Sequence, residues 1–363
     1  MQTSASSQPA HDLSAATEQP LGGGRPGREK SRLLWADVAR GIGIILVVYA
    51  HAIRGLVQHQ GAAPGWALWQ DRVIYTFHMP LFFVLAGLFL WPSLERGRKA
   101  FLKDRSLTVL YPYFLWSLAI GVLQMIARPF VNSPVSSADL VAIPWWPIEQ
   151  FWFLYALFTL QIIALLIFPR RLLLVAAAIV LPFVPTLFAS APYVLVTLTW
   201  LPFLVLGLLL SPALGKVAGA GRSRIALLAA AGWLLFAGVV ALGPGVEDPM
   251  FFYAAGSIGA AATLLSAMLV REGRAATGLA WLGAGSMAIF VMHSAASAGI
   301  RALIGMAWPG TSFAVQLLAT FAAGMLFPAL VYWQAKRLGV LTWLGLGRDR
   351  PRASATPAKA VLA

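Results

Sequence analysis

Three histidines, His51, His78 and His293, lie within long apolar segments of the sequence. Ionisable side chains are costly inside such segments and usually have a function there. A neutral imidazole can take a proton from a hydroxyl as a general base, or carry an acyl group as a nucleophile. A hydrogen-bonded packing role is the alternative for a single buried histidine, and it stays open for His78 and His293.

His51 shares one face of a predicted helix with two charged residues. Arg40 precedes it by 11 residues, which is about 20° past three full turns and about 16 Å along the helix axis. Asp37 joins the same face, and Gly41 beside it allows close approach of another backbone. Because arginine is a common phosphate ligand, the pattern predicts a phosphorylated donor whose reactive end reaches His51. An ordinary ion pair at the helix end remains the alternative for Asp37 and Arg40.

The composition indicates which elements position these residues. Of 363 residues, 59% are apolar and 11% are charged, and there is no cysteine. Soluble domains have about 45–50% apolar and about 25% charged residues, so the chain is predicted to be a polytopic helical membrane protein. The absence of cysteine excludes a thiol nucleophile, a cysteine-ligated zinc site and a disulfide.

Ten apolar runs have about the 20 residues that a membrane-spanning helix needs. They are residues 35–56, 73–92, 107–127, 150–168, 172–189, 193–211, 224–243, 250–270, 278–300 and 312–335. With ten spans, both termini share one side, and 23 of the 27 Lys and Arg residues fall there. Cytoplasmic loops are rich in Lys and Arg, so the fold expected is all-α, with about ten transmembrane helices and both termini cytoplasmic. Apart from the ends of the spans, no Asp, Glu, Lys or Arg is expected inside them, except at the inner end of the first.

The net charge of +14 is explained by this loop bias, and nucleic acid is not expected as a partner. Polar residues 1–31 and residues 344–363 are predicted to be disordered cytoplasmic tails around a membrane domain at 32–343. The first 31 residues lack the apolar core of a signal peptide.

Five segments resemble the motifs of the acyltransferase-3 family of integral-membrane O-acyltransferases, in order and at suitable spacing. They are Asp37-Val-Ala-Arg40 with His51, Phe77-His78-Met79-Pro80, Phe101-Leu-Lys-Asp-Arg105 with Tyr111-Pro112-Tyr113, Trp152-Phe-Leu-Tyr155, and Trp281-Leu-Gly283 with Ser286 and His293. Two positions depart from the family pattern: Ala86 replaces a frequent serine, and Thr108 stands where a second arginine is common.

The resemblance implies transfer of an acyl group, most often acetyl, from cytoplasmic acyl-CoA to a hydroxyl of a lipid-linked or surface carbohydrate. It implies His51 as the catalytic residue, assisted by Arg40, with Asp37, Arg40 and Arg105 on the donor side. His78, His293, Ser286 and Trp152 are implied as residues of the pocket or the acceptor side.

Acyl-CoA is then a substrate, and neither a resident cofactor nor a metal is expected. The location expected is the bacterial inner membrane. A secondary transporter is the competing class, but such proteins usually place carboxylates near the bilayer midplane. The acceptor sugar, the acyl length, the oligomeric state and the choice between base and acyl carrier for His51 stay open.

Overall fold

The structure, a computed structural model, describes residues 26–348, with side chains from residue 34 onward. The described residues form helices joined by short connections and contain no strand. The all-α prediction is therefore confirmed for this part of the chain. Residues 1–25 and 349–363 of the two predicted tails lie outside it.

Eleven helices build the bundle and position the site. They are α1 Pro26–Gln60, α2 Gly65–Leu88, α3 Arg98–Ile126, α4 Glu149–Ile167, α5 Arg171–Leu187, α6 Tyr193–Val217, α7 Arg222–Leu242, α8 Pro249–Leu269, α9 Gly273–Ala284, α10 Ser286–Ala307 and α11 Phe313–Leu338. Beyond α11, Leu346 is buried and Trp116 donates a hydrogen bond to the carbonyl oxygen of Leu344. Packing against α3 thus continues to Leu346, and the domain boundary at residue 343 stays a prediction.

Eight of the helices are long and apolar enough to cross a membrane within the described residues, which makes the protein polytopic. These are α1 from Leu34 onward, α3, α4, α6, α7, α8, α10 and α11. The other two predicted spans coincide with α2 and α5. α2 has 24 residues but carries Asp71, Arg72 and His78. α5 is a shorter apolar helix, whose second half is a 3-10 helix containing Pro182 and Pro185.

The predicted ninth span, 278–300, is two helices in the structure. The chain bends at Gly285 between α9 and α10, and α10 continues to Ala307. Arg301 therefore lies inside a membrane-spanning helix, where the sequence analysis places no charged residue. The expectation was wrong at this position because the helix that crosses the membrane runs from Ser286 to Ala307, later in the sequence than the predicted span.

α1 is the central helix and packs against α2, α8, α9, α10 and α11. Its contact with α9 depends on Gly41, because a Cβ there would overlap the carbonyl oxygen of Leu279. Only glycine allows two backbones to approach this closely, as the sequence predicts for Gly41. α1 therefore places Arg40, His51 and Gln58 at successive depths of the bundle. The two ends of the bundle are named the Arg40 end and the Gln58 end after these residues.

The connections between helices gather at two ends of the bundle. At the Arg40 end, Tyr111 donates a hydrogen bond of 2.6 Å to the carbonyl oxygen of Trp343. At the Gln58 end, the ring of Trp146 contacts that of Tyr193 with centroids 5.3 Å apart. The charge bias predicts that the Arg40 end faces the cytoplasm.

Candidate active site

His51 of α1 and His293 of α10 meet in the middle of the bundle. Nδ1 of His51 lies 2.9 Å from Nε2 of His293, and the ring centroids are 4.9 Å apart. The side chain of His293 is fully buried, and that of His51 is partly exposed to a cavity. Two histidines that are 242 residues apart in the sequence therefore form one hydrogen-bonded pair.

The hydrogen bonds of His293 set the direction of the whole pair. Its Nδ1 lies 2.8 Å from the carbonyl oxygen of Phe290 and 3.1 Å from that of Ile289. Carbonyl oxygens only accept, so Nδ1 of His293 carries the proton and its Nε2 is left as an acceptor. In the neutral pair, Nδ1 of His51 then donates to His293. Nε2 of His51 consequently keeps a free lone pair, which is the state that a base or a nucleophile needs.

A serine and a glutamine lie next to the pair. Oγ of Ser294 donates a hydrogen bond of 2.8 Å to Oε1 of Gln150 and lies 3.4 Å from Nε2 of His293. Gln150 is 4% exposed, and its Nε2 has no hydrogen-bond partner among the described residues. A buried amide donor without a partner is costly, so this N–H group is free for a bound molecule near the histidines.

His78 lies on α2 close to the pair but makes no hydrogen bond to it. Its Nδ1 is 2.8 Å from the carbonyl oxygen of Ile74, and its Nε2 has no partner within the described residues. The ring of Tyr75 contacts that of His78 edge to face at 4.6 Å and stacks on that of His51 at 6.1 Å. Tyr75 thus contacts both rings, and a pocket role for His78 stays a prediction.

A large cavity of about 360 Å³ opens from His51 toward the Gln58 end. Its wall combines polar and apolar residues from α1, α2, α3, α4, α10 and the connection after α3. The lining residues used below are His51, Arg54, Gly55, Gln58, Tyr75, Asn132, Glu149, Ser294 and Arg301. Asn132 donates a hydrogen bond of 2.9 Å to the carbonyl oxygen of Gly55, and Gln58 donates one of 2.9 Å to Ser133. These two bonds fasten the connection after α3 against α1.

Arg54 lies in the same wall, one helical turn beyond His51. Its Nε lies 3.0 and 3.1 Å from the two carboxylate oxygens of Asp71. Its guanidinium also covers the ring of Tyr75. The charge of Arg54 is therefore balanced by a carboxylate, and the ion pair joins α1 to α2 above the catalytic histidine candidate.

A small cavity of about 80 Å³ lies on the other side of His51, toward the Arg40 end. Nearly all of its wall is apolar. Its lining residues are Ile44, Val47, Met79, Phe82, Phe153, Leu154, Ser286, Met287 and Phe290. Val47 lies one turn before His51 on α1, and the ring of Phe290 is 6.3 Å from that of His293. Ser286 lies here, as the only lining residue with a polar side chain among the nine.

The charged residues predicted for the donor side gather at the Arg40 end. Arg40 lies 2.5 Å from Asp37, which is the ion pair that the sequence left as an alternative, and its guanidinium is 5.6 Å from the ring centroid of Phe89. Nη2 of Arg105 donates a hydrogen bond of 3.0 Å to Oγ of Ser93, which in turn donates to the carbonyl oxygen of Phe89. Both arginines therefore approach the short segment that follows α2.

A π-helical stretch marks this end as well. Arg105 directly precedes a π-helical stretch, Ser106–Leu110, inside α3, and such stretches are frequent at functional sites. The ring of Trp152 contacts those of Trp200, at 4.9 Å, and Phe153. Trp152 lines neither cavity, so its acceptor role stays a prediction. No group of three or more His, Asp or Glu side chains among the described residues is placed to hold a metal ion.

Several polar residues of the site were not found from the sequence. Arg54 is three residues after His51, and this helical spacing was a usable signal. Arg54 and Arg301 lie near the ends of predicted spans, and both belong to the four Lys and Arg residues that fall on the side opposite the termini. Gln150 and Ser294 have no comparable signal, since their proximity depends on how α4 packs against α10.

The comparisons with known proteins agree with this architecture. The family model described as "Acyltransferase domain" matches residues 33–333. The nodulation protein NolL of Mesorhizobium japonicum is 30% identical over 205 residues, which cover 53% of this chain and 52% of that protein. NolL of Sinorhizobium fredii is 28% identical over 204 residues, covering 54% of each chain. No solved structure matches the chain.

The chain spans about half the length of the curated relatives it matches, so their activity is not transferred here. The family model covers most of the chain, including α1 with His51 and α10 with His293. The chain belongs to the acyltransferase-3 family of integral-membrane O-acyltransferases.

Proposed function

We propose that this protein moves an acyl group, in the first place acetyl, from cytoplasmic acyl-CoA to a hydroxyl of a lipid-linked or surface carbohydrate, in the bacterial inner membrane. The observation that carries the proposal is the position of His51. It lies between two cavities that lead toward opposite ends of the bundle, and its Nε2 has a free lone pair. A residue placed in this way can meet a donor from one side and an acceptor from the other.

The donor is proposed to approach from the Arg40 end. Arg40 and Arg105 offer guanidinium groups for phosphates, and both lie beside the segment after α2. Arg40 precedes His51 by about 16 Å along α1, and the small apolar cavity lies between them. In this proposal the phosphates stay at the Arg40 end and the thioester end reaches through the small cavity to His51.

Two routes are compatible with the geometry. In the first, Nε2 of His51 takes the proton of the acceptor hydroxyl, the oxygen attacks the thioester carbonyl, and the coenzyme A thiolate leaves and takes up that proton. In the second, Nε2 attacks the carbonyl first and the thiolate leaves. The hydroxyl oxygen then takes the acyl group from the acyl-imidazolium, Nε2 regains its lone pair, and the hydroxyl proton goes to the thiolate. Both routes yield an acyl ester and free coenzyme A.

His293 is proposed as a positioning residue in either route. His293 accepts a hydrogen bond from Nδ1 of His51. This bond holds the ring of His51 and leaves its Nε2 unprotonated, as a carboxylate does for the histidine of a hydrolase triad. When His51 becomes positively charged, the same hydrogen bond stabilises the charge, because His293 is anchored by two backbone carbonyl oxygens.

The proposal is tested with purified protein in lipid nanodiscs that is given acetyl-CoA and a mixture of short oligosaccharides. Thiol release and the mass of acylated sugar are both measured. Comparison of cell-envelope glycans from strains with and without the gene then identifies the acceptor. Release of coenzyme A together with sugar that is heavier by one acyl unit supports the enzyme. Transport of sugar with no acyl-CoA turnover would instead favour the secondary transporter considered above.

A further inference from the structure

Arg301 has an unusual environment for a cation. Among the described residues it is the only Asp, Glu, Lys or Arg side chain that is buried, with 6% exposed, and it lies inside α10. It lines the large cavity. Within this part of the chain, its guanidinium forms no ion pair and no hydrogen bond. A buried charge at membrane depth is expensive unless it is paired.

The other charged residues of the cavity show what Arg301 lacks. Arg54 is held by both carboxylate oxygens of Asp71. The carboxylate of Glu149 also faces the large cavity, yet no ion pair joins it to Arg301 in the described structure. The two opposite charges attract each other across the same space but make no direct contact. The five N–H donors of Arg301 therefore stay available to a molecule in that space.

The position of Arg301 relative to His51 is set by Gly55. A Cβ at Gly55 would lie 2.7 Å from Nη1 of Arg301, so glycine makes room for the guanidinium against α1. Gly55 comes four residues after His51, which is about 6 Å farther along the helix. The guanidinium thus lies about one helical turn from the histidine, toward the Gln58 end, a separation comparable to the width of one sugar ring.

We propose that Arg301 binds an anionic group, a carboxylate or a phosphate, on the acyl acceptor, one sugar ring away from the hydroxyl that meets His51. The inference rests on the proposed function and adds to it the acceptor class: an acidic sugar or a phosphate-linked sugar. Charge-assisted hydrogen bonds to oxyanions are the strong contacts that a guanidinium makes. Glu149 accepts hydrogen bonds from hydroxyls of the same sugar and repels an anion placed near it.

The test uses three acceptors: phenyl β-D-glucoside, phenyl β-D-glucuronide and α-D-glucose 1-phosphate. The first two differ only at C6, where the glucoside has a hydroxymethyl group and the glucuronide a carboxylate, so transfer is read on the ring hydroxyls that both share. The third supplies a phosphate next to the ring. For the parent protein in nanodiscs, kcat/KM for at least one anionic acceptor is expected to exceed that for the glucoside by about tenfold to a hundredfold, the range of one or two charge-assisted hydrogen bonds. Whether the glucuronide or the phosphate gains more distinguishes the two sources of the anion.

Four variants separate the site from general damage. Arg301→Gln and Gly55→Ala, which displaces the guanidinium without removing its charge, should both bring the anionic-to-neutral ratio close to one. Glu149→Gln should raise the ratio, because it removes the nearby negative charge. Arg128→Gln removes an exposed arginine at the same end that does not line the cavity, and it should keep both the ratio and the activity of the parent.

A ratio near one in the parent, or an unchanged ratio in Arg301→Gln, would overturn the inference. If the parent releases no coenzyme A at all, the proposed function fails. The anion site is then tested separately, by measuring the binding of the two phenyl glycosides with calorimetry. Stronger binding of the glucuronide than of the glucoside, lost in Arg301→Gln, would still support the site. Equal binding of the two glycosides to the parent would reject it.

Discussion

His51 Nδ1 lies 2.9 Å from His293 Nε2, and His293 Nδ1 lies 2.8 Å from the carbonyl oxygen of Phe290. Because the carbonyl can only accept, the proton positions along this chain of hydrogen bonds follow from one end to the other. The backbone of α10 thereby determines which nitrogen of His51 is free. The lone pair on Nε2 of His51 therefore depends on His293 and Phe290, which are far from His51 in the sequence.

The first prediction concerns His293. His293→Ala removes the acceptor of His51 Nδ1, so kcat should fall by at least about 10- to 100-fold, the loss seen when a partner that orients a metal-bound histidine is removed, while KM for the donor changes little. His293→Gln offers an amide oxygen as a substitute acceptor and should recover part of the rate. Steady-state kinetics of both variants check this, and His59→Ala, at an exposed histidine, is the control. A KM effect without a kcat effect, or no rescue by glutamine, would argue against the positioning role.

The second prediction concerns the donor phosphates. Arg40→Ala should weaken binding of coenzyme A by about tenfold, since a charge-assisted hydrogen bond is lost. Ser93→Ala releases Arg105 from its hydrogen bond without removing the charge, so it should change the affinity less than Arg105→Ala does. Equilibrium dialysis with labelled coenzyme A measures these affinities. Arg98→Ala, at an exposed arginine of the same end, serves as the control, and unchanged affinity in both Arg40→Ala and Arg105→Ala would remove the assignment.

The third prediction concerns the acyl length. The small cavity of about 80 Å³ offers room for a short acyl group only. Phe82→Ala removes a ring from its wall and should raise the ratio of kcat/KM for butyryl-CoA over acetyl-CoA, because the longer chain then fits. Phe327→Ala, at an exposed position of α11, should leave that ratio unchanged. If Phe82→Ala and Phe327→Ala have the same acyl preference as the parent, the small cavity does not hold the acyl group.

Much of the architecture can be predicted from the sequence, because the length of each apolar run and the charges that flank it are local features of the chain. The helical class and the position of His51 on α1 depend on residues near one another in the chain. Gly41 indicates a close approach of two backbones, but its partner Leu279 lies far away in the sequence. The bend at Gly285 and the extension of α10 to Ala307 were not predictable from hydropathy, which changes little across them. The contact of Gln150 with Ser294 depends on helix packing, for which a single sequence carries no local signal.

The fourth prediction concerns orientation. Because most Lys and Arg residues lie at the Arg40 end, that end should face the cytoplasm. In this cysteine-free chain, single cysteines replacing Gln60 or Glu247 should react with an impermeant maleimide added to intact cells. Cysteines replacing Lys99 or Lys216 should react only after the membrane is permeabilised. The opposite pattern would place the donor site on the wrong side for acyl-CoA.

The most direct measurement is the rate of acyl transfer by the His51→Gln variant, compared with the parent in the same nanodiscs. Glutamine keeps a polar side chain but can neither cycle a proton in this way nor carry an acyl group. The account predicts that transfer falls by about 10²- to 10⁴-fold, the usual contribution of a positioned acid–base group. Coenzyme A binding should survive, because the phosphates lie about 16 Å away at Arg40. A folded His51→Gln protein that binds coenzyme A and transfers acyl groups at nearly the parental rate would contradict the central role of His51.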